Sequence, residues 1–175
     1  MTIRRVAGGA MQVPAYNDCL ESFGTRCRWI GFIDLDEFVL PMQDGDLRVF
    51  LSEYEEYGGV AATWHLFNSS GPLKRPEGAV IRNYTEAFRE QESYTIKSFV
   101  RPEHTDLALS PHHFSYRPGF YCVNEEHYPV SPGVQFTFAG GGRIRVNHYF
   151  MKSQQDFEAR LERGRATTTD RSKYY

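Results

Sequence analysis

Three cysteines among 175 residues, Cys19, Cys27 and Cys122, are too few and too scattered for a disulfide scaffold or a Cys-based zinc site. Their odd number fits a reducing compartment, so the expected location is cytoplasmic or peripheral to a membrane. Long apolar runs are also missing, and none approaches the roughly 20 residues that a spanning helix needs. The opening MTIRRVAGGAMQ has two arginines but too short an apolar stretch after them for a signal peptide. Charge of one sign is not in excess: the net charge is -2, which leaves no electrostatic footprint for nucleic acid or an anionic membrane. Internal repeats and low-complexity linkers are lacking too. The chain does have 41% apolar and 15% aromatic residues, enough for one domain with a real core. Eleven tyrosines offer rings that stack on sugars and bases while their hydroxyls hydrogen-bond.

Pattern places the elements. Gln12 to Phe23 reads as a helix, with Gly24 as its C-cap. Trp29 to Ile33 is a strand-length apolar run. Asp46 caps a second helix carrying Leu47, Phe50, Leu51 and Tyr54, stopped by Gly58 and Gly59. Val60 to Phe67 reads as a buried strand, Asn68 to Gly78 as a polar loop and Arg82 to Glu92 as a short helix. Thr95 to Val100, His113 to Tyr116, Phe120 to Val123 and Ile144 to Tyr149 read as strands. Ser153 opens a last helix with an S-x-x-D capping box; Phe157 and Leu161 form its stripe, and Gly164 ends it. The reading is an α/β fold with a mixed sheet flanked by helices, one domain over residues 1–164 and a mobile tail over 165–175.

The sharpest motif is WIGFIDLDEFVLP. An apolar strand delivers Asp34, Asp36 and Glu37 to a sheet end. In an extended backbone, Asp34 and Asp36 point the same way and Glu37 the other. Two carboxylates on one side make a hard oxygen site for Mg²⁺ or Mn²⁺, and such an ion bridges a diphosphate. The ordinary alternative is an acidic strand end that starts a turn. The second motif is RIRVNHYFMKSQQDFEARLERG. Here His148 offers an imidazole to the same ion, which suits Mn²⁺. Lys152 precedes a helix N-terminus, where backbone N–H groups favour an anion. A satisfied core histidine and a solvated lysine are the alternatives.

Other residues carry smaller expectations. His112 and His113 are adjacent, so at most one enters a given site, and pattern favours His113 for substrate. Lys97 lies in an apolar strand and needs an anionic partner, either a phosphate or a carboxylate. Trp64 is a candidate acceptor platform or a core residue. Glu86 is the leading candidate for general base; it, Glu125 and Glu126 are otherwise expected on exposed surface.

In order, YNDCL, WIGFIDLDEFVLP, WHLFNSSG, IKSFVRP, HHF, NHYFMKS and a later RG resemble glycosyltransferase family 92 and its family 2-like relatives, from Gln12 to Gly164. The resemblance implies a GT-A fold, a nucleotide-sugar donor (a UDP-sugar), a glycan or other hydroxyl acceptor, and Mn²⁺ or Mg²⁺. It matches Asp34 and Asp36 to the metal-binding D-x-D motif and His148 to the late metal-ligating histidine. It places Lys97 and Lys152 in basic motifs. It also implies inverting transfer, for which one base deprotonates the acceptor hydroxyl. A non-catalytic glycan- or nucleotide-binding remnant and a metal-dependent hydrolase are the competing readings. The family carries a nucleotide-binding segment before the YNDC stretch, so the chain is expected to be incomplete at its N-terminus. Inactivity of the chain alone, weak UDP binding, and dimerisation through uncovered apolar surface are expected to follow.

Overall fold

In the computed structural model, which describes residues 10–88, 95–131 and 142–163, the chain opens with α1 (Gln12–Phe23). Val13, Tyr16, Cys19 and Leu20 recur at helical spacing and pack on Phe32, Val100, Ala108 and Phe114. Asn17 fixes the helix to its neighbour: its side chain accepts from the Ala108 N–H at 2.7 Å and donates to the Ala108 carbonyl at 3.3 Å. Gly24 is the C-cap as expected, its N–H on the Leu20 carbonyl, though in right-handed and not left-handed conformation. Its φ is -54°, and the chain runs on into a 3₁₀ turn over Gly24–Arg26. Close approach explains the glycine instead, since a Cβ there would lie 3.0 Å from the Pro102 Cβ.

Among the described residues nine strands follow: β1 (Ile30–Gly31), β2 (Glu37–Pro41), β3 (Gly59–Leu66), β4 (Ile96–Val100), β5 (Thr105–Ala108), β6 (Phe114–Tyr116), β7 (Cys122–Val123), β8 (Pro129–Val130) and β9 (Ile144–His148). The remaining helices are α2 (Leu47–Ser52), α3 (Val80–Asn83) and α4 (Gln154–Arg163). Seven strands form one mixed sheet, while β5 and β6 form a separate antiparallel pair. The central β3 pairs antiparallel with β4 on one edge. Its other edge is shared: Gly59 and Val60 pair parallel with β7, and Thr63 to Leu66 pair parallel with β9. Beyond β9 lies antiparallel β2, and β1 pairs with the outer edge of β4.

The expected α/β fold with a mixed sheet flanked by helices is the one observed. The Asp46 cap forms, its carboxylate accepting from the Arg48 N–H at 2.8 Å. So does the Ser153 capping box, with Asp156 N–H to Ser153 Oγ at 3.1 Å and Ser153 Oγ to Asp156 at 2.7 Å. The helix expected from Arg82 does not: α3 stops at Asn83, and the chain extends so that Ala87 bridges Phe67. The expected helix end at Gly164 and the tail over 165–175 lie outside the described residues, as do 89–94. Phe50, Tyr54, Val60, Ala62, Phe99, Val123, Ile144 and Val146 build the main core on one face of the sheet. Among the described residues no helix is long and apolar enough to cross a membrane.

Gly59 is required by close packing: a Cβ there would meet the Tyr116 hydroxyl at 2.6 Å and the Phe99 carbonyl at 2.9 Å. Because backbone cannot retreat as a side chain can, Gly59→Ala is expected to cost about 2 kcal/mol. Urea denaturation measures it, and a midpoint equal to the parent's would refute the steric reading.

Candidate functional site

The site lies where parallel β3 and β9 end, the usual place for ligands in open α/β sheets. There Glu37, the first residue of β2, is in register with His148, the last of β9, and Leu66 flanks His148 on its other side. The strand before the acidic cluster is shorter than expected. β1 ends at Gly31, and Asp34 to Glu37 is a turn closed by the Glu37 N–H on the Asp34 carbonyl at 3.1 Å. Asp34 and Asp36 therefore do not share the extended face expected of them. The turn sends the two carboxylates to different partners and brings Glu37 inward.

Asp34 accepts from Gln12 Nε2 at 2.9 Å and from Lys97 Nζ at 3.2 Å. Glu37 is buried; its Oε2 accepts the Asp34 N–H at 2.8 Å and lies 3.3 Å from the same Lys97 Nζ. Lys97 thus has the carboxylate partners that a buried cation needs. Burial works against its charge, but Glu37, Tyr16 and Asp34 together hold its ammonium above the usual lysine value. Burial pushes the Glu37 carboxyl up to about 7, opposed by the Lys97 charge.

Asp36 belongs with the late motif. Its Oδ1 is 3.7 Å from His148 Nε2 and its Oδ2 is 3.6 Å from Lys152 Nζ. Burial lowers the His148 imidazole to about 4, against the pull of Asp36, so the ring is neutral at pH 7. Asp36 and His148 are therefore adjacent, whereas Asp34 joins the Lys97–Glu37 cluster. Among the described residues no group of three or more His, Cys, Asp or Glu is arranged to hold a metal ion.

Lys152 adopts φ 53° and lines a cleft of about 260 Å³ with Ser69, Gly71, Leu73 and Phe157. The amides of the following helix are not free for an anion, contrary to the sequence argument. Gln154 N–H donates to the Pro72 carbonyl, Gln155 N–H to Leu73, and Asp156 N–H to Ser153 Oγ. Trp64 lies against two imidazoles, its ring 4.1 Å from the His148 ring and 5.3 Å from the His112 ring. Lys97 Nζ is 6.0 Å from the indole centroid. His112, not His113, therefore borders Trp64. His113 is buried and lines a separate cavity of about 240 Å³ with Ile96, Ser98, Tyr116 and Tyr121.

Glu86 is exposed. Its backbone is tied to the cleft loop, accepting from the Asn68 N–H and donating to Ser70 Oγ. Glu126 is exposed as expected, but Glu125 is buried: its carboxylate accepts the N–H groups of Gly142, Arg143 and Ile144 at 2.9, 3.0 and 2.9 Å. Sequence reasoning passed over Glu37, His112 and Glu125. Lys97 gave the one usable signal, because a lysine inside an apolar strand requires a nearby anion, and here the anions are the Asp34 and Glu37 carboxylates.

A family model for glycosyltransferase family 92 matches residues 10–140. A family 92 protein of Ricinus communis is 30% identical over 165 residues, covering 87% of this chain and 26% of that protein. A family 92 protein of Oryza sativa subsp. japonica is 29% identical over 161 residues, covering 90% of this chain and 25% of that protein. One of Arabidopsis thaliana is 26% identical over 169 residues, covering 89% of this chain and 27% of that protein. The chain spans about a quarter of the length of these relatives.

Proposed function

Because this chain belongs to glycosyltransferase family 92, we propose that residues 1–164 form a catalytic region that transfers a sugar from a UDP-sugar to a glycan hydroxyl with inversion. One observation carries the reading: a carboxylate, Asp36, and a neutral imidazole, His148, stand together at the ends of β3 and β9, with Lys97 and Lys152 nearby. The pair suits a divalent cation. Two ligands of one octahedral ion lie about 3 Å apart, so their 3.7 Å needs little adjustment. Lone-pair donors are ready on both, since the imidazole is uncharged. Two protein ligands are also what such an ion takes when diphosphate and water fill its other positions. The imidazole favours Mn²⁺ over Mg²⁺. When bound, the ion neutralises charge on the leaving diphosphate.

The chain's own groups supply the rest. Lys152 faces the cleft and offers its ammonium to the diphosphate. Lys97 keeps a fixed positive charge beneath the Asp34 turn, and Trp64 gives the sugar an apolar wall beside the two imidazoles.

Calorimetric titration with Mn²⁺ tests the cation site. Asp36→Ala is expected to weaken binding more than about tenfold, the scale of losses at metal sites. Equal affinity in the parent and the variant would sink the assignment.

A further inference from the structure

His112 is held as a base would be, from three directions. Its N–H donates to Ser110 Oγ at 3.1 Å, and its carbonyl accepts from Ser98 Oγ at 2.8 Å. Its ring Nδ1 lies 2.8 Å from the Ile96 carbonyl. A carbonyl only accepts, so Nδ1 must carry the ring proton. That leaves Nε2 with a free lone pair, and no hydrogen-bond partner for Nε2 stands among the described residues. The ring is half-buried against Trp64, on the side of β4 where Lys97 and Asp34 influence its charge. Burial, helped by Lys97, keeps it below the ordinary histidine value, so it is neutral at pH 7.

Other ionisable groups nearby are engaged differently. His148 faces Asp36, Asp34 and Glu37 share Lys97, and His113 lines the separate cavity. Glu86 is exposed on the loop beside the Lys152 cleft.

We infer that His112 is the catalytic base, its Nε2 taking the proton from the acceptor hydroxyl while the Ile96 carbonyl holds the tautomer. This rests on the transferase reading. The acceptor O–H bond breaks and its proton passes to Nε2. The oxygen's electron pair forms the new bond to the donor's anomeric carbon. The bond from that carbon to the diphosphate oxygen breaks, and the diphosphate leaves with the pair. The imidazolium, with Nδ1–H still on Ile96, then returns its extra proton to solvent. A carbonyl here takes the orienting role that a carboxylate has in other His-based sites.

The test has two arms, both on the 175-residue chain. The first follows UDP release from UDP-galactose with Mn²⁺, water serving as the acceptor. His112→Gln should lower kcat about 100-fold or more, the usual share of general-base catalysis. KM for UDP-galactose should stay within about threefold, because the base meets the acceptor and not the donor. A loss found in Glu86→Gln but not in His112→Gln would overturn the inference. The second arm needs no turnover: nitrogen-15 spectra of the imidazoles at pH 7.5. They should show His112 as the neutral Nδ1–H tautomer, with that signal absent from His112→Gln. A proton on Nε2 would overturn the inference whatever the activity. If the parent chain releases no UDP, the reading that residues 1–164 catalyse transfer by themselves falls, and the spectra still decide whether His112 offers the lone pair.

Discussion

Lys97→Met is expected to remove about 3–5 kcal/mol of folding stability, the loss typical when one partner of a buried ion pair is deleted. Lys97 is almost fully buried, and its ammonium is shared by Asp34 at 3.2 Å and Glu37 at 3.3 Å. Methionine fills nearly the same volume, so the effect is electrostatic and not a cavity. Glu37 would be left buried with no cation, and its Oε1 already has no hydrogen-bond partner. The cost depends on pH with a defined sign. The folded Glu37 carboxyl titrates at about 7, above its unfolded value of 4.5, so the folded chain binds the extra proton between those values. Its contribution is fully present below 4.5 and is lost as pH rises through 7. Removing Lys97 raises the folded value further, so the loss from Lys97→Met should be smaller at pH 5.5 than at pH 8. Urea denaturation at both pH values measures it. Glu37→Gln added to Lys97→Met should recover much of the loss at pH 8. A loss under about 1 kcal/mol at pH 8 would mean that the cluster is solvated and the pair weak.

Glu125→Ala should be about as damaging. One buried carboxylate accepts three successive backbone N–H groups where β9 begins, from Gly142 to Ile144. Each amide stranded without a partner costs about 1–3 kcal/mol, so the expected total is at least 3 kcal/mol. Glu125→Gln keeps one acceptor oxygen and should recover part of it. Calorimetric unfolding would measure both. An alanine variant as stable as the parent would show that water replaces the carboxylate at no cost. The effect reaches the site, because β9 carries His148 from this anchored start to its place beside Asp36.

Local patterns were legible. The α1 stripe, the Asp46 and Ser153 caps, and the buried runs of β3, β4 and β9 each announce themselves within a few residues. Tertiary partners were not. The D-x-D stretch looks like a strand end because Trp29 to Ile33 is apolar, yet the Glu37 carboxylate and Lys97 fold it into a turn. Periodicity alone has no means of representing that pull from β4. Glu125 and Glu126 look alike in sequence, and only the three amides across the fold separate the buried one from the exposed one. His112 and His113 likewise differ by which side of β4 each ring takes, a choice fixed by the Ile96 and Ser98 hydrogen bonds. Gly24 is a related case: it caps α1 as expected, but the demand for glycine there comes from Pro102, distant in the chain.

The divided edge of β3 has a kinetic consequence. Thr63 pairs with Arg145 and Leu66 with His148 in parallel register, so the edge that carries the site closes only after a very long stretch of chain has been searched. The β3–β4 ladder spans a shorter separation and can zip first. Refolding should therefore be slow, in the millisecond-to-second range of topologies rich in distant pairings. A probe at Trp64, on the strand common to both ladders and against His148, should register the slow step. Amide protection at Phe99 should precede it.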